Sequence, residues 1–476
     1  MQPEGRQSLD TPKYLKLALM FERQLRMGVL RIGDRLPSVR QLRDEYKISV
    51  ATAVGCYLWL ERHGYVRARP KSGFYVSRAP VTDSPPPMPG ARVHGPIRVR
   101  LQGLEPAVAA GSHDLIDLGP AVLGPDLLPA ARLNRASRVV LSAFPEHAVH
   151  GVDPMGDPRL RRQLARLGFR HGVTCTADEV IVTAGDTEGL SLCIRAVTKP
   201  GDIVAVESPG CYEFLQALDA YGLRAVEIPR APNEGLDLDA LAAAVDRHRL
   251  SALLIEASCH NSLGDCVRDD RKEAVVALAA RHGIPVIEGD PFGDLVFSGD
   301  RPRPLKAFDR SGIVMQCRSL AHDVAPGFNI GWVHAGRWQR EVERLKIQTS
   351  VAGAGLPQLA LAEFLESGAY EKHLKRLRVA LWQIVHGARE EIVRQFPPGT
   401  RVSSPEGGFV LWVQLPPEFD GIDVQRRAAA AGIRILPGAA FTATRQFGSC
   451  IRIACGHPLS RMRAAIGTLA SLLKDG

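Results

Sequence analysis

Residues 28–76 read GVLRIGDRLPSVRQLRDEYKISVATAVGCYLWLERHGYVRARPKSGFYV, and their pattern predicts the structure of the N-terminal part of the chain. Within LPSVRQL, Ser38 is suited to cap a helix, and Gln41 is suited to return a hydrogen bond and complete a capping box. Ser49 follows as the predicted cap of the next helix. Two short helices joined by a tight turn predict a helix-turn-helix.

The sequence on both sides completes this unit. Upstream, Tyr14, Leu17, Phe21 and Leu25 recur at helical spacing and predict a first helix. Downstream, YVRARPKSGFYV predicts two short strands around a turn at residues 70–73. Three helices followed by a β-ribbon predict a winged helix-turn-helix.

The positive charge of the chain is concentrated in the same unit. Residues 1–80 contain fifteen Lys and Arg but seven Asp and Glu, which leaves +8 there out of +9 for all 476 residues. A small unit with nearly all of the net charge has the electrostatic character expected for binding a polyanion. A solvated basic surface is the alternative.

A proline-rich stretch separates this unit from the rest of the chain. Six prolines lie from Ser77 to Pro96, and we predict a linker over residues 81–114. From residue 115 onward, helices alternate with short apolar runs such as EVIVTAG, DIVAVES, ALLIEAS, IPVIEGD and IVMQC. This alternation predicts an α/β domain with a mostly parallel sheet.

Composition excludes several classes of protein. The chain is 45% hydrophobic and 23% charged, as globular proteins are. No apolar run approaches the roughly 18 residues of a membrane span, and the polar N-terminus lacks the apolar stretch of a signal peptide, so we expect a cytoplasmic protein without a membrane partner. The nine cysteines are never spaced as CxxC, which argues against a zinc site and a disulfide framework.

Residues 12–78 resemble the GntR family of winged helix-turn-helix regulators, because LPSVRQL, the helix pair and SGFYV fall in register. The resemblance implies binding to double-stranded DNA, with the third helix in the major groove. The family often carries an arginine early in that helix, where this chain has Val50. The expected DNA-contact residues are Arg35, Ser38, Arg40, Ser49, Ala51, Thr52, Ala53, Arg69, Lys71 and Gly73.

The predicted domain over residues 115–476 resembles the fold-type I aminotransferases, which are pyridoxal-phosphate enzymes. The resemblance rests on GDPRLRRQLARLGFRHGV, TAGDTEGLSLCIRAV, GDIVAVESPGCYEFL, CHNSLGDCV, IEGDPFGDLVF, VAPGFNIGW, EGGFVLWVQLP and CIRIACGHP. It implies a large lobe over about residues 150–345 and a small lobe formed by 115–149 with 346–476. Together the two domains are similar to the MocR branch of GntR regulators, which implies a homodimer.

The resemblance also indicates which residues face the cofactor. Pyridoxal phosphate requires a lysine for its Schiff base and a carboxylate at its ring nitrogen. The family's SxSKxxxPGxRxGY stretch appears here as SLAHDVAPGFNIGW, which puts His322 at the lysine position and Asn329 at a phosphate-binding arginine. No lysine lies between Lys306 and Lys346, so a shift of register does not restore it.

Further positions of the same pocket differ from the family. By register, Gly289 replaces the carboxylate at the ring nitrogen, and Phe292 replaces a tyrosine that bonds the ring oxygen. Asp290 is the neighbouring carboxylate, but on a strand it would point to the opposite face. Cys211 stands where an aromatic residue stacks on the ring. Asp186 stands in the phosphate-binding turn, where its charge would repel a phosphate dianion.

Four positions match the family pattern: Gly185, Asn261, Ser319 and Arg452. The guanidinium of Arg452 suits the bidentate capture of a carboxylate, and a structural ion pair is the alternative. For His322, a hydrogen-bonded core histidine is favoured over a catalytic role.

These observations predict a sequence-specific DNA-binding transcriptional regulator whose aminotransferase-like domain is catalytically inactive and holds no covalent pyridoxal phosphate. That domain is expected to sense a small molecule, with a carboxylate as one candidate effector, or to serve dimerisation. The alternatives are a pyridoxal-phosphate-dependent aminotransferase and a regulator that retains the cofactor noncovalently.

Overall fold

The computed structural model describes residues 12–26, 29–62, 65–69, 72–77, 94–100, 116–231, 234–297, 300–444 and 446–474. The chain divides into two compact units, the first formed by residues 1–84 with 298–300 and the second by residues 85–297 and 301–476. None of the helices in the described ranges is long and apolar enough to cross a membrane.

The helices and strands of the described ranges are labelled in chain order. The helices α1 to α14 are Lys13–Arg26, Val39–Tyr46, Val50–Arg62, Ala130–Ala143, Pro158–Arg170, Gly185–Val197, Tyr212–Ala220, Leu238–Arg247, Asp269–His282, Gln339–Thr349, Gly355–Glu366, Ala369–Gln395, Gly421–Ala430 and Leu459–Leu472. The strands β1 to β17 are Val66–Arg69, Gly73–Val76, Ile97–Arg98, Ile116–Asp117, Val180–Ala184, Ile203–Ser208, Arg224–Ala231, Gly235–Leu236, Leu250–Ile255, Val286–Gly289, Val314–Ser319, Ile330–His334, Arg401–Val402, Val410–Gln414, Ile433–Arg434, Leu436–Pro437 and Cys450–Ala454.

The first unit has three helices and a β-ribbon, as the sequence predicts. Ser38 caps α2: its Oγ accepts the N–H of Gln41 at 3.2 Å, and Gln41 Oε1 accepts the N–H of Ser38 at 2.8 Å. The helix ends at Lys47, which adopts the left-handed conformation. β1 and β2 pair antiparallel to form the ribbon.

A large mixed sheet forms the centre of the second unit. Its strands follow the order β3-β7-β6-β9-β10-β11-β12-β5, and β8 pairs with β7. The pairs from β7 to β11 are parallel, whereas β12 runs antiparallel to both β11 and β5. The prediction of a mostly parallel sheet is therefore confirmed.

Helices cover both faces of this sheet. Along β6, Val204 and Val206 enter one buried cluster, while Ala205 enters another. Because successive side chains of a strand point to opposite faces, the alternation means that the sheet is buried on both sides. Such a sheet leaves the ends of its strands as the place for a site.

A smaller sheet of strands β13-β14-β17-β16 packs against the long helix α12. β4 pairs with β15, and α4 packs against α11, so residues 116–143 join the C-terminal part of the chain.

The structure differs from the predicted linker in one place. Within residues 81–114, Ile97 and Arg98 form β3, which pairs antiparallel with Ala225 and Arg224 of β7. An edge strand needs only backbone hydrogen bonds on one side, so a short segment without apolar periodicity can form it. Residues 81–93 and 101–114 lie outside the described residues.

Candidate functional site

The first unit exposes most of the predicted DNA-contact residues. Those exposed are Arg35, Ser38, Arg40, Ser49, Ala51 and Arg69, whereas Thr52 and Gly73 are half-buried. The remaining cation, Lys71, lies outside the described residues. Exposed cations around a helix-turn-helix suit phosphate contacts.

The start of α3 is held by a local cap. Ser49 Oγ accepts the N–H of Thr52 at 3.1 Å, and the two hydroxyl oxygens lie 2.8 Å apart. On the ribbon, the guanidinium of Arg69 lies 4.4 Å from the ring centroid of Tyr75. Both contacts hold polar side chains in place at the exposed side of the unit.

One predicted DNA contact is wrong. Ala53 is fully buried, together with Cys56, Tyr57 and Leu60 of the same helix. These residues follow the spacing that places side chains on one helix face, and that face packs into the core. Ala53 therefore supports the position of α3 and does not reach a base edge.

The second unit contains a cavity of about 270 Å³, and several of the predicted site residues line it although they are far apart in the sequence. Six of the eleven predicted pocket residues line it: Asp186, Cys211, Asn261, Gly289, Phe292 and His322. They lie at or beyond the carboxyl ends of β5, β6, β9, β10 and β11. Parallel strands place their carboxyl ends along one edge, which explains why these segments meet.

An ion pair spans one side of the cavity. His322 Nε2 lies 2.7 Å from Asp186 Oδ2, in the first turn of α6. Burial lowers the pKa of His322, but the charge and hydrogen bond of Asp186 outweigh it and raise the pKa to about 9. Burial opposes the ionised form of Asp186, but His322 and the amides at the start of α6 lower the pKa of this carboxyl. The carboxylate thus accepts hydrogen bonds at a helix N-terminus, where an anion is stabilised.

Gly185 and Asn329 meet beside this pair without lining the cavity. Gly185 has φ +74°, and a Cβ there would lie 2.3 Å from Asn329 Oδ1. Asn329 also adopts the left-handed conformation, with φ 48°. The short amide of Asn329 therefore packs against the start of α6.

Gly289 and Phe292 form another part of the wall. A Cβ on Gly289 would lie 3.0 Å from the Phe214 ring and 3.3 Å from Glu256 Cγ. Phe292 is fully buried and meets the His322 ring edge to face at 5.5 Å. These contacts leave no room for a carboxylate at position 289 without movement of its neighbours.

Asp290 and Ser319 also do not line the cavity. Asp290 is buried and bonds Arg301 and Gln316. Ser319 Oγ donates to the carbonyl of Ile330 and accepts the N–H of Ala321. Both side chains are therefore engaged within the protein.

Arg452 is fully buried and does not line the cavity. Its Nη1 donates to Asn261 Oδ1 at 2.7 Å, and its Nη2 donates to the carbonyl of Gly119. Its guanidinium also lies over the rings of Tyr212 and Phe441. The fork predicted to capture a ligand carboxylate is instead bonded to oxygen atoms of the protein.

Two carboxylates that were not among the predicted site residues, Glu213 and Glu256, line the same cavity. Glu256 directly follows β9, and Glu213 lies in the first turn of α7. A glutamate at the end of the apolar run ALLIEAS is the signal that points to Glu256. The described residues contain no group of three or more His, Cys, Asp or Glu placed to hold a metal ion.

Two families match the chain. The family described as "Aminotransferase class I and II" covers residues 130–469, and the family described as "Bacterial regulatory proteins, gntR family" covers residues 13–76. Among solved structures, kynurenine aminotransferase from Pyrococcus horikoshii is similar with a TM-score of 0.71 and 26% identity, over 76% of this chain and 92% of that one. The second unit thus has the aminotransferase fold.

Relatives that share both domains are named as regulators. The HTH-type transcriptional regulator YjiR of Escherichia coli is 34% identical, over 94% of this chain and 96% of that protein. YdcR of the same organism, also named an HTH-type transcriptional regulator, is 32% identical over 90% and 92%. The chain therefore belongs to the DNA-binding GntR regulators of the MocR type, which carry a class I and II aminotransferase domain.

Proposed function

We propose that the aminotransferase-like domain of this DNA-binding regulator senses a small molecule and neither binds pyridoxal phosphate covalently nor catalyses transamination. The observation that carries the proposal is the Asp186–His322 ion pair. By the family resemblance, Asp186 belongs to the phosphate-binding turn at the start of α6 and His322 takes the position of the Schiff-base lysine, and this ion pair joins the two residues.

The lining of the cavity supports the same proposal. None of the residues that line it in the described part of the chain is a lysine. Gly289 offers no carboxylate to a ring nitrogen, and Asp290 is engaged with Arg301. These residues do not fit the cofactor, whose Schiff base requires a lysine amine.

The absorbance of the purified full-length protein tests the proposal. We expect a colourless protein whose visible spectrum is unchanged by borohydride. A yellow protein whose colour disappears on reduction supports the aminotransferase alternative. A quench of protein fluorescence on addition of pyridoxal phosphate, without a covalent adduct, supports a regulator that holds the cofactor noncovalently.

We further propose that the regulator acts as a homodimer, since aminotransferase folds build their cleft at a subunit interface. A two-fold operator would then match two DNA-binding units. Sedimentation velocity is expected to give twice the mass of the chain, and a monomer at micromolar concentration would contradict the proposal.

A further inference from the structure

Glu256 occupies the part of the cavity next to Gly289. β9 and β10 are parallel, with Glu288 opposite Ile255, so Gly289 and Glu256 are the next neighbours across the two strands. A Cβ on Gly289 would lie 3.3 Å from Glu256 Cγ. Position 289 has no carboxylate, but Glu256, directly after the adjacent strand β9, places one in the same cavity.

The carboxyl group of Glu256 has no cation beside it among the described residues. The side chain is 2% exposed, and its Oε2 accepts the N–H of Asn261 at 3.0 Å. Within the described ranges, no Lys, Arg or His lies within 4 Å of this carboxylate. A buried carboxylate without a counter-charge is costly, and burial followed by the charge of Glu213 raises the pKa of Glu256 to about 8. The group is therefore mostly protonated near neutral pH in the empty cavity, and a cation bound beside it would favour its ionised form.

Several other buried carboxylates of the domain have a cation beside them. Glu207 pairs with Arg230, Asp294 pairs with Arg318, and Asp290 pairs with Arg301. Glu227, Glu288 and Asp323 are also buried without an ion pair among the described residues, but they do not line the cavity, whereas Glu256 does.

Glu213 adds a second acceptor. Its Oε2 accepts hydrogen bonds from Asn261 Nδ2 at 3.2 Å and from the Cys211 thiol at 2.7 Å. It too has no ion-pair partner among the described residues. Among the described residues, His322 is the one cationic side chain that lines the cavity, and it is already paired with Asp186.

The remaining walls are largely apolar, with Leu190, Phe214 and Phe292 among them. A cavity of roughly 150 Å³ holds a benzene ring. The volume here, about 270 Å³, therefore accommodates a ring and a short chain.

We propose that the cavity binds a small organic ammonium ion with an apolar body, with Glu256 and Glu213 as its counter-charges. The inference rests on the proposed sensor function and names its ligand class. It replaces the expectation of a carboxylate effector, because Arg452 is engaged with Asn261 and Gly119.

Calorimetric titration of the full-length protein with three probes of similar shape tests the inference. The probes are benzylamine, benzyl alcohol and benzoate. We expect benzylamine to bind at least about tenfold more tightly than either of the others, since it alone supplies a charge-assisted donor. Equal or tighter binding of benzoate, or no binding of benzylamine, would overturn the ligand class.

Substitutions of the two glutamates test whether benzylamine binds in this cavity. Glu256→Gln and Glu213→Gln are each expected to weaken benzylamine binding by about tenfold or more, while Glu273→Gln, on the exposed side of α9, leaves it unchanged. Circular dichroism confirms folding of each variant, and Glu213→Gln, at a half-buried position, serves if Glu256→Gln does not fold. Unchanged affinity in the folded variants would contradict the assignment.

The experiments distinguish a wrong ligand class from a wrong sensor function. Binding of benzoate alone would overturn the cationic ligand and leave the sensor role in place. Recovery of covalent pyridoxal phosphate would overturn the sensor proposal, whatever the titrations give.

Discussion

Among single residues, three charged or ionisable side chains determine the character of the cavity: Asp186, His322 and Glu256. Asp186 brings a negative charge to a helix start that suits an anion, and His322 brings the opposing positive charge. Glu256 supplies a carboxylate beside Gly289. The result is a pocket with acceptors for a cation.

The Asp186–His322 pair makes stability depend on pH. The pKa of His322 is raised from 6.5 to about 9, so its contribution is complete below pH 6.5 and is lost as pH rises through 9. The pKa of Asp186 is lowered from 3.8, so its contribution is lost as pH falls below that value. We therefore expect His322→Asn to lower the free energy of unfolding most between about pH 4 and 6.5.

Urea unfolding across this pH range measures the effect. His282→Asn, at an exposed position on α9, is the matched control and is expected to change stability little at any pH. A deficit for His322→Asn that persists undiminished above pH 9.5 would refute the role of the pair.

Arg40 is the residue at which the DNA proposal is most easily tested. It is exposed on α2, directly after the cap and the first residue of the helix. Arg40→Ala is expected to weaken binding to a promoter fragment and to reduce the slope of log affinity against log salt by about 1.

Gel shifts at several salt concentrations give this slope. Arg166→Ala, an exposed arginine of α5 in the second unit, is the control and should leave the slope unchanged. An unaltered slope for Arg40→Ala would remove Arg40 from the interface.

At the scale of elements, close backbone contact sets the position of α6. A Cβ on Gly331 of β12 would lie 2.4 Å from the carbonyl carbon of Gly185 and 2.7 Å from the carbonyl oxygen of Arg318. Neither backbone atom can move without shifting its element. Gly331→Ala is therefore expected to destabilise the protein by about 1–3 kcal/mol.

Thermal or urea unfolding measures this destabilisation. Gly327→Ala is the matched control, because a Cβ there would meet no atom within 4 Å. Equal stability of the two variants would show that the close packing at Gly331 does not exist in solution.

Elements with strong local signals could be predicted from the sequence. The Ser38–Gln41 capping box and the two strands of the ribbon form as expected. The prediction for Ala53 is wrong because the first turn of α3 passes from exposed Ala51 through half-buried Thr52 to buried Ala53, and the sequence does not show where that boundary falls. Glu256 was missed because its role depends on the register of β9 and β10, which no local pattern encodes.

In the whole molecule, the two units differ in charge, and the difference matches the different functions proposed for them. Residues 1–80 carry +8 of the net charge, which suits them to DNA, while the second unit encloses an acidic cavity. A ligand can change DNA binding only if it binds two conformations of the protein with different affinity. The size of that difference limits how far the ligand shifts the affinity for DNA.

Mass spectrometry tests most directly whether the aminotransferase-like domain carries a covalent cofactor. The native protein is treated with borohydride, digested and analysed by mass spectrometry for pyridoxyl-modified peptides. We expect every lysine-containing peptide to be recovered unmodified. A stoichiometric pyridoxyl-lysine peptide from the second unit would contradict it.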